Sequence, residues 1–502
     1  MGQQPRECAD ALARFLGKDR RSFTKADIIR YILANHIEVI NLRYAGADGR
    51  LKTLNIVFHD LDYLDAILSC GERVDGSSLF PSIPSGESDL YVVPRYRTAF
   101  LNPFTSIPAL DILCSYYTKD GTPLETSPEY TLRKAREALG RATGYMDYEV
   151  MGELEYYVAS NAPGLFPADD QRGYHESDPF NKSGELRVEA MRRVVEAGGQ
   201  IKYGHSEVGN FTRDGVAYEQ NEIEFLPAPV DEAADQLVIA KWMLRVLAHR
   251  RGMNLTFAPK ITDGKAGNGL HVHTRLKKGG ENRMVKDGKL SDDALRAISG
   301  YLDLAPALTA FGNANPASYL RLVPHQEAPT LVCWGDRNRS ALVRVPLGWT
   351  GNANGMITDA NPRETRPTAD FSQRQTVEFR SPDGSADIYL LLAGLTVAVR
   401  HGFETPDAIA RAKARYADAN DFAGEHQALA SRLEQLPASC FESANCLQAR
   451  REIFEQHGVF SPALVDATIA NLRQFNDQHL REEIKTNPGL VMELVRRHFY
   501  CG

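Results

Sequence analysis

The spacing of apolar residues divides the chain into a sheet-rich first part and a longer mixed part. Residues 1–36 show helical spacing, and Ser22 or Thr24 is expected to cap the helix that follows. From residue 38 apolar positions alternate, the Asp48-Gly49 pair predicts a turn, and alternation resumes over 51–58, which predicts a hairpin. Further strands are expected at 90–93 and 107–117, so residues 25–118 should form a small sheet-rich domain.

The rest of the chain has the pattern of an α+β mixture. A charged helix is predicted over 127–139 and a strand over 151–158, and the last 120 residues are expected to be mainly helical. The longest apolar run, 388–399, lies between Asp387 and Arg400 and has about 12 residues, whereas a membrane span needs about 20. No membrane segment is therefore expected.

Composition narrows the classes of protein that remain. The chain has 502 residues, 43% of them hydrophobic, and a net charge of -7, which excludes disordered, collagen-like and coiled-coil chains. Its length favours two domains, and its mild acidity argues against a nucleic-acid binder. The 7 cysteines are scattered without a C-x-x-C pair, and the N-terminus lacks an apolar signal core. These features predict reduced thiols in a cytoplasmic protein.

Charged residues spaced by two recur in segments that have strand character. Side chains at i and i+2 of a strand project to one face, so each segment offers charged groups on one side. A single case would suggest a strand with one solvated face. The repetition favours a concave sheet around charged ligands, and carboxylates with imidazoles suit Mg²⁺ or Mn²⁺ better than Zn²⁺. The segments contain Glu153 and Glu155, Glu222 and Glu224, His271 and His273, Arg344, and Glu378 with Arg380.

An arginine cluster supports this interpretation. Arg321, Arg337, Arg339 and Arg344 lie close together in sequence, and guanidinium groups bind phosphate and carboxylate oxygens bidentately. A salt-bridged surface would be expected to carry more Lys and less Pro and Trp. Carboxylate-bound metals facing arginines are typical of phosphoryl transfer, although neither G-x-x-x-x-G-K-[ST] nor a strand-linked G-x-G-x-x-G is present. The residues alone predict a metal- and nucleotide-dependent enzyme.

A series of motifs between about residues 30 and 400 points to one family. They are V-D-G-S-S at 74–78, E-S-D at 87–89, G-E-L-E at 152–155, G-H-S-E-V at 204–208, Q-N-E at 220–222, G-N-G-L-H-V-H at 267–273, R-L-V-P-H-Q-E-A-P at 321–329, R-N-R-S-A-L-V-R-V-P at 337–346 and V-E-F-R-S-P-D at 377–383. Taken in order, they resemble glutamine synthetase of the prokaryotic type I class. The resemblance implies an α+β fold, with an N-terminal helix and β-grasp-like domain over 1–118. A catalytic domain over 119–502 would contain a curved antiparallel sheet flanked by helices.

The resemblance also implies roles for individual residues. Two or three Mg²⁺ or Mn²⁺ ions per active site and ATP as co-substrate are expected. The implied ligands of the first metal are Glu155, Glu207 and Glu222, and those of the second are Glu153, His271 and Glu378. The implied ATP contacts are His273, Arg344 and Arg339, and the implied contacts to the transferred phosphoryl group are Arg339 and Arg380. The implied substrate contacts are Gly267, Arg321, Glu327, Arg380 and Tyr174, with Glu327 on a closing flap. Asp75 would bind ammonium and accept its proton.

The implied reaction joins ammonium to the γ-carboxylate of L-glutamate through γ-glutamyl phosphate, releasing ADP and phosphate. A homo-oligomer, a dodecamer of two hexameric rings, is expected, with no nucleic-acid or membrane partner. Two alternatives stay open: a γ-glutamyl–amine ligase and a non-catalytic relative. Ala266, which replaces the usual Asn, and a long 208–221 stretch where the amine should enter favour the amine ligase. Asn268 is expected to substitute for the missing amide if the loop shifts.

Overall fold

The computed structural model describes residues 9–80, 83–161, 164–323, 328–346, 353–365, 371–418 and 432–502. Its first helices are α1 (Ala11–Leu16) and α2 (Lys25–Ala34). Thr24, not Ser22, caps α2, because its side chain accepts from the Asp27 N–H while Asp27 accepts from the Thr24 N–H. The helical prediction for 1–36 is therefore correct only in part, since a 3₁₀ turn (Arg20–Ser22) separates the two helices.

The small sheet follows these helices. It contains β1 (Val39–Ala45), β2 (Leu51–Val57), β3 (Glu72–Asp75), β4 (Asp89–Pro94), β5 (Phe100–Leu101) and β6 (Ala109–Thr118), with α3 (Leu61–Cys70) and α4 (Gly76–Leu79) between strands. The strand order is β2-β1-β6-β4-β3, with β1 and β6 parallel at the centre. The predicted hairpin is confirmed: Gly49 adopts a φ of 71°, and Asp48 accepts from the Arg50 N–H at 3.1 Å. Apolar residues of α2 and α3 share one core with this sheet.

The predicted charged helix is α5 (Pro128–Thr143), which runs one turn beyond the expected end. A larger sheet follows. It is built from β7 (Asp147–Asn161), β8 (Ile201–Arg213), β9 (Val216–Phe225), β10 (Ala228–Pro229), β11 (Asn254–Thr256), β12 (Leu270–Lys278), β13 (Glu281–Asn282), β16 (Trp334–Asp336), β17 (Val343–Val345) and β18 (Val377–Phe379), while β14 (Val285–Lys286) and β15 (Lys289–Leu290) pair separately. The order along its main path is β16-β17-β18-β12-β7-β9-β8, antiparallel except for the parallel pair β16-β17. The predicted α+β fold with a curved, largely antiparallel sheet is confirmed.

Helices connect and follow the strands of the large sheet. They are α6 (Gly184–Glu196), α7 (Val230–Arg250), α8 (Asp292–Gly312), α9 (Ser318–Arg321), α10 (Ala353–Ala360), α11 (Ile388–Glu404), α12 (Ala408–Ala414), α13 (Cys440–Glu455), α14 (Pro462–Arg473), α15 (Leu480–Thr486) and α16 (Gly489–His498). The apolar run at 388–399 forms most of α11 and is buried against α8 and α5. Among the described residues, no helix is both long and apolar enough to cross a bilayer.

Buried ion pairs join the small sheet to the helices of the large one. Arg95, just after β4, donates both terminal nitrogens to Asp235 of α7 at 2.8 and 2.9 Å. Arg97 adds a contact to Asp235 at 2.7 Å, and the Tyr389 hydroxyl of α11 donates to the same carboxylate at 2.7 Å. The orientation of the two sheets is thus set partly by charge-assisted hydrogen bonds.

Candidate active site

A cavity of about 970 Å³ opens over the polar face of the large sheet. Its walls come from β7, β8, β9, β12 and β18 and from the loops beside them. The predicted site residues that line it are Glu153, Glu155, Tyr174, Glu207, Glu222, Gly267, His271, His273, Arg321, Arg339, Arg344, Glu378 and Arg380. Side chains predicted from segments far apart in sequence thus share one cavity.

Strand register explains why these charged side chains meet. His271 of β12 lies opposite Glu153 of β7, and His273 lies opposite Glu378 of β18. Directly opposed side chains of antiparallel strands are close neighbours. The intervening residue Val272 points to the other face, where it is fully buried in the core. Alternation therefore separates the charged lining of the cavity from the apolar support behind it.

Glu153, His271 and Glu378 form a group that could hold a divalent cation. One potential ligand atom from each lies within 4.8 Å of the other two. His271 Nδ1 is 3.0 Å from a Glu153 oxygen and 3.6 Å from a Glu378 oxygen. Burial alone would raise the pKa of Glu153, but the His273 and His271 imidazoles outweigh it and lower that pKa well below its usual range. Ionised carboxylates with an imidazole are the donor set that suits Mg²⁺ or Mn²⁺.

Two arginines donate to the Glu378 carboxylate of this group. Arg344 Nη1 donates to Glu378 at 2.8 Å and Arg380 Nε donates to it at 2.9 Å. Arg380 Nη1 and Arg344 Nε are buried and, within the described part of the chain, have no hydrogen-bond acceptor. A buried guanidinium N–H needs an acceptor, and phosphate oxygens supply one. This face of the cavity is therefore suited to a phosphorylated ligand.

A second group contains two residues that sequence analysis had not identified as ligands. His205, Glu222 and Glu224 bring one ligand atom each within 4.8 Å of one another, and His205 Nε2 is 3.7 Å from Glu222. Glu224 also accepts from Lys202 Nζ at 2.5 Å and from the Tyr203 hydroxyl. The available signals were the two-residue spacing of Glu222 and Glu224 and the position of His205 within the 204–208 motif.

The carboxylates around Glu222 repel one another. Burial, followed by the charges of Glu153, Glu155 and Glu207, raises the pKa of Glu222 well above its usual range. Such crowding is costly unless a proton or a cation offsets it. The residues on this side of the cavity therefore also fit a divalent cation.

The structure does not bring the predicted first-metal set into one group. Glu155 Oε2 accepts from the Gly269 N–H at 2.7 Å. Glu207 accepts from the N–H of the next residue at 2.8 Å, and its other oxygen is 3.8 Å from His205 Nδ1. Both line the cavity beside Glu222, but the groups identified among the described residues do not unite the three carboxylates. Their joint role stays a prediction.

The predicted substrate contacts occupy different depths of the cavity. Arg321 is buried, donates to the Ser381 carbonyl at 2.8 Å and lies 3.5 Å from His271 Nε2. Arg339 is exposed at the rim. Tyr174 is 51% exposed and stacks on His175 with ring centroids 4.2 Å apart. Anion-binding and aromatic surfaces therefore lie in the same cavity.

Asn268 does not replace the amide that is missing at Ala266. It is fully buried, its Nδ2 donates to the Ala258 carbonyl at 2.9 Å, and its Oδ1 accepts from Gln220 Nε2 at 3.2 Å. The expectation of a substitution is wrong, because this side chain is committed to the interior. The backbone N–H of Ala266 instead donates to Gln171 Oε1 at 2.8 Å.

Most of the long 208–221 stretch lies outside the described lining of the cavity. It forms the end of β8 and the start of β9, and the Phe211 ring stacks on Tyr218 at 4.8 Å. Arg213 Nη1 lies 3.4 Å from the Met492 sulfur on α16. Only its first residue, Val208, is among the described residues that line the cavity. The hairpin tip packs on the C-terminal helix, while Gln220 at the other end of the stretch donates to Glu155 Oε2 at 3.2 Å. A role of this stretch in amine choice stays a prediction.

Asp75 lies on the small sheet, outside the described lining of the cavity. Its carboxylate accepts from the Ser77 N–H at 3.0 Å and from the Ser78 hydroxyl at 2.6 Å, and so caps α4. Hydrogen bonds from Ser78 and then Ser77 lower the pKa of Asp75 to about 2. Glu327, predicted to lie on the flap, is outside the described residues.

The family models that match this chain give its class, an ATP-dependent ligase that joins a carboxylate to ammonia or an amine. The model for the glutamine synthetase catalytic domain matches residues 125–487, and the model for the glutamine synthetase beta-Grasp domain matches residues 36–119. The chain belongs to the glutamine synthetase family.

Individual relatives agree with this assignment. The chain is 30% identical to glutamine synthetase of Thermus thermophilus, over 76% of this chain and 80% of that protein. It is 28% identical to glutamine synthetase of Vibrio cholerae, over 88% of this chain and 94% of that protein. A solved structure of GmaS without ligand has a TM-score of 0.73 at 20% identity, over 91% of this chain and 98% of that one. A solved structure of Plasmodium falciparum glutamine synthetase has a TM-score of 0.73 at 19% identity, over 91% of this chain and 97% of that one. These structures share the fold.

Proposed function

We propose that the chain is a glutamine synthetase: it joins ammonium to the γ-carboxylate of L-glutamate through γ-glutamyl phosphate, with ATP as phosphoryl donor. One observation carries the proposal. A single cavity contains a Glu–His–Glu group beside guanidinium N–H groups that have no acceptor among the described residues. The first is suited to a divalent cation and the second to a phosphoryl group. Within the family, that combination is suited to activation of a carboxylate by ATP.

The proposed metal is Mg²⁺ or Mn²⁺, with two or three ions per active site. One ion would be held by Glu153, His271 and Glu378. Another would be held by Glu222 with Glu155 and Glu207, close to His205 and Glu224. Bound divalent cations would neutralise phosphate charge and align the phosphoryl group with its acceptor.

The protein's own side chains then have separate tasks. Arg339 and Arg380 would bind the transferred phosphoryl group, while Arg344 and His273 would bind ATP. Arg321 and the backbone of Gly267 would hold glutamate with its γ-carboxylate toward the phosphates. Buried donors in a preorganised site stabilise developing charge without further rearrangement. The acyl phosphate must be kept from water until the amine arrives, a task proposed for a flap carrying Glu327.

Nucleophile binding would involve Tyr174 and a carboxylate from a neighbouring chain. We assign this carboxylate to Asp75 of the neighbouring chain, which would bind ammonium and accept its proton. Because Asp75 lies outside the described lining of its own chain's cavity, the assignment requires an oligomer. We propose two stacked hexameric rings of a cytoplasmic enzyme, with a domain boundary near residue 118. Small molecules, rather than nucleic acids or membranes, are the proposed partners.

A γ-glutamyl–amine ligase is the second candidate. It is favoured by the absence of a side-chain amide at residue 266, which the buried Asn268 does not supply. The rings of Tyr174, His175 and His205 on the cavity wall would also suit an organic ammonium group. A non-catalytic role is disfavoured, because crowded buried carboxylates are costly unless they serve a ligand.

Phosphate release separates these functions. The purified protein with Mg²⁺, ATP and glutamate is assayed with ammonium, methylamine, ethanolamine or a polyamine. Turnover with millimolar ammonium and formation of glutamine are expected. Turnover with an organic amine alone would replace the first candidate by the second. An absence of turnover with every amine, in protein shown to bind ATP and metal, would contradict both.

A further inference from the structure

Gln171 connects its own loop, 171–175, to the 264–267 loop of the cavity wall. Its side chain lines the cavity, as do Tyr174 of the same loop and Gly267 of the second loop. Its Oε1 accepts from the backbone N–H of Ala266 at 2.8 Å. Its Nε2 donates to the Asn210 carbonyl at 3.0 Å, and its own backbone N–H donates to the same oxygen at 2.9 Å. One side chain therefore ties β8 to the 264–267 loop.

The loop around Gln171 is itself held along β8. The Gly173 N–H donates to the Val208 carbonyl at 3.2 Å, and the His175 N–H donates to the Ser206 carbonyl at 2.9 Å. The pairing of β8 with β9 shifts register between Ser206 and Asn210. Such an irregularity redirects backbone groups, and here carbonyls of β8 accept from the loop. The 171–175 loop thus lies against β8 as a short additional segment.

The segment with Ala266 and Gly267 is held from other directions as well. The Tyr157 hydroxyl donates to the Ala266 carbonyl at 2.9 Å, and Gln220 Nε2 donates to the Gly267 carbonyl at 3.0 Å. A Cβ at Gly267 would lie 2.3 Å from the Pro259 carbonyl oxygen, so the backbone there is tightly enclosed. Gln171 adds an acceptor for the N–H that precedes Gly267.

We infer that Gln171 is a positioning residue that fixes the 266–267 backbone relative to the Tyr174 loop. We call the Gln171 hydrogen bonds to Ala266 and Asn210 the brace. In this chain the brace holds the 266–267 segment, where Ala266 replaces the usual side-chain amide. The geometry on the glutamate side then depends on the loop on the nucleophile side. What the two loops bind rests on the function proposed above; the brace itself does not.

Two substitutions test the brace. Gln171→Met keeps the length of the side chain but removes its donor and acceptor, leaving the Ala266 N–H without this partner. We expect the KM for glutamate to rise about tenfold, which corresponds to the loss of hydrogen bonds of ordinary strength, while the KM for ATP stays within about twofold. Gln171→Glu keeps an acceptor for Ala266 and should restore the KM for glutamate to within about threefold. Gln448→Met, on the exposed side of α13, is the matched control.

Hydrogen exchange gives a readout that does not need activity. In Gln171→Met, amides of peptides spanning 264–269 should exchange at least about tenfold faster, and those of β7 and α8 should not change. The inference would be overturned if exchange at 264–269 did not change. It would also be overturned if the KM values for glutamate and ATP rose similarly while exchange became faster throughout the protein. A wild type without glutamate-dependent phosphate release would instead contradict the proposed function, and the exchange result would still decide the brace.

Discussion

Glu153 contacts both imidazoles of β12, at 3.0 Å from His271 and 2.7 Å from His273. This single residue therefore has two roles. It offers a ligand oxygen to the Glu–His–Glu group. Its negative charge also favours protonation of His273, because it raises the pKa of that imidazole despite the opposing effect of burial. A substitution here should affect chemistry more than folding, because β7 continues on both sides.

Glu153→Gln should lower turnover at least about a hundredfold, because the amide keeps the shape but removes an anionic ligand. Steady-state phosphate release, with circular dichroism to monitor the fold, measures the effect. Glu149→Gln on the same strand is the control, since Glu149 pairs with Arg275 at 2.6 Å and lies outside the described cavity lining. It should retain turnover within about twofold; equal losses in both variants would contradict the assignment.

Asp75→Asn should impair capture of the acyl phosphate more than its formation, because the amide cannot accept a proton from ammonium. Glutamate-dependent ADP formation should persist while glutamine formation falls, and high pH should restore part of it by supplying free ammonia. Rapid-quench measurement of both products tests this. Asp60→Asn, at the cap of α3, makes the same change at another helix cap and should have no such effect. A parallel loss of both products would exclude this role.

At the scale of elements, the β8–β9 hairpin acts as an internal support. Glu219 of β9 is buried and accepts from the N–H groups of Lys182 and Ser183 at 3.0 and 2.9 Å. It also accepts from the Ser183 hydroxyl at 2.8 Å. The stretch that looked like an insertion near the substrate thus holds the start of α6 in place.

Glu219→Ala should destabilise the protein by about 2 kcal/mol, because it leaves buried N–H groups without an acceptor. The midpoint of urea unfolding, followed by fluorescence, reports the change. Glu219→Gln, which keeps one acceptor oxygen, should lose less stability than Glu219→Ala. Glu185→Ala, exposed on α6, is the control and should lie within about 0.5 kcal/mol of wild type. A Glu219→Ala variant as stable as this control would show that the start of α6 does not need the hairpin.

At the scale of the whole molecule, the buried Asp235 carboxylate of α7 pairs with Arg95 and Arg97 and so joins the small sheet to a helix of the larger domain. Burial opposes its ionisation, but Arg95 and then Arg97 outweigh burial and lower the pKa of Asp235 below its usual range. A lowered folded-state pKa adds stability above the unfolded value, and this stability is lost as pH falls through the folded-state pKa. The contribution should therefore be complete at neutral pH and decline in acid.

Asp235→Asn should cost about 3–5 kcal/mol at pH 7, since it leaves the Arg95 guanidinium buried without its counter-charge. The difference from wild type should be constant above the unfolded-state pKa of Asp235 and shrink as pH falls toward its lowered folded-state pKa. Urea unfolding at several pH values measures both effects. Asp231→Asn, on the same helix and more exposed, should cost about 1 kcal/mol or less. A difference that does not change with pH would contradict the ion-pair account.

Hybrid oligomers test whether the active site is shared between chains. Mixing Asp75→Asn and Glu153→Gln subunits after reversible dissociation should restore part of the activity that each variant lacks. Some interfaces would then combine an intact Asp75 from one chain with an intact metal group from the next. Restored glutamine formation, with particle size followed by light scattering, is the expected result. No recovery in proven hybrids, or a fully active monomer, would exclude a shared site.

The sequence by itself determined the alternation that places Glu153, His271, His273 and Glu378 on one polar face. It also determined the hairpin turn at Gly49 and the helical character of the C-terminal part. These features depend on near neighbours in the chain, where a period of two or a turn pair is sufficient. The motifs were equally visible, since each lies within a few consecutive residues.

Only the tertiary structure decided which of these residues meet. The register between β12, β7 and β18 brings Glu153, His271 and Glu378 together, and the register shift in β8 turns its carbonyls toward the Gln171 loop. The inward commitment of Asn268 depends on contacts with strands distant in sequence, and so does the packing of the 208–221 hairpin on α16. Local patterns specify which face a side chain takes, but only strand pairing and long-range packing specify its neighbours.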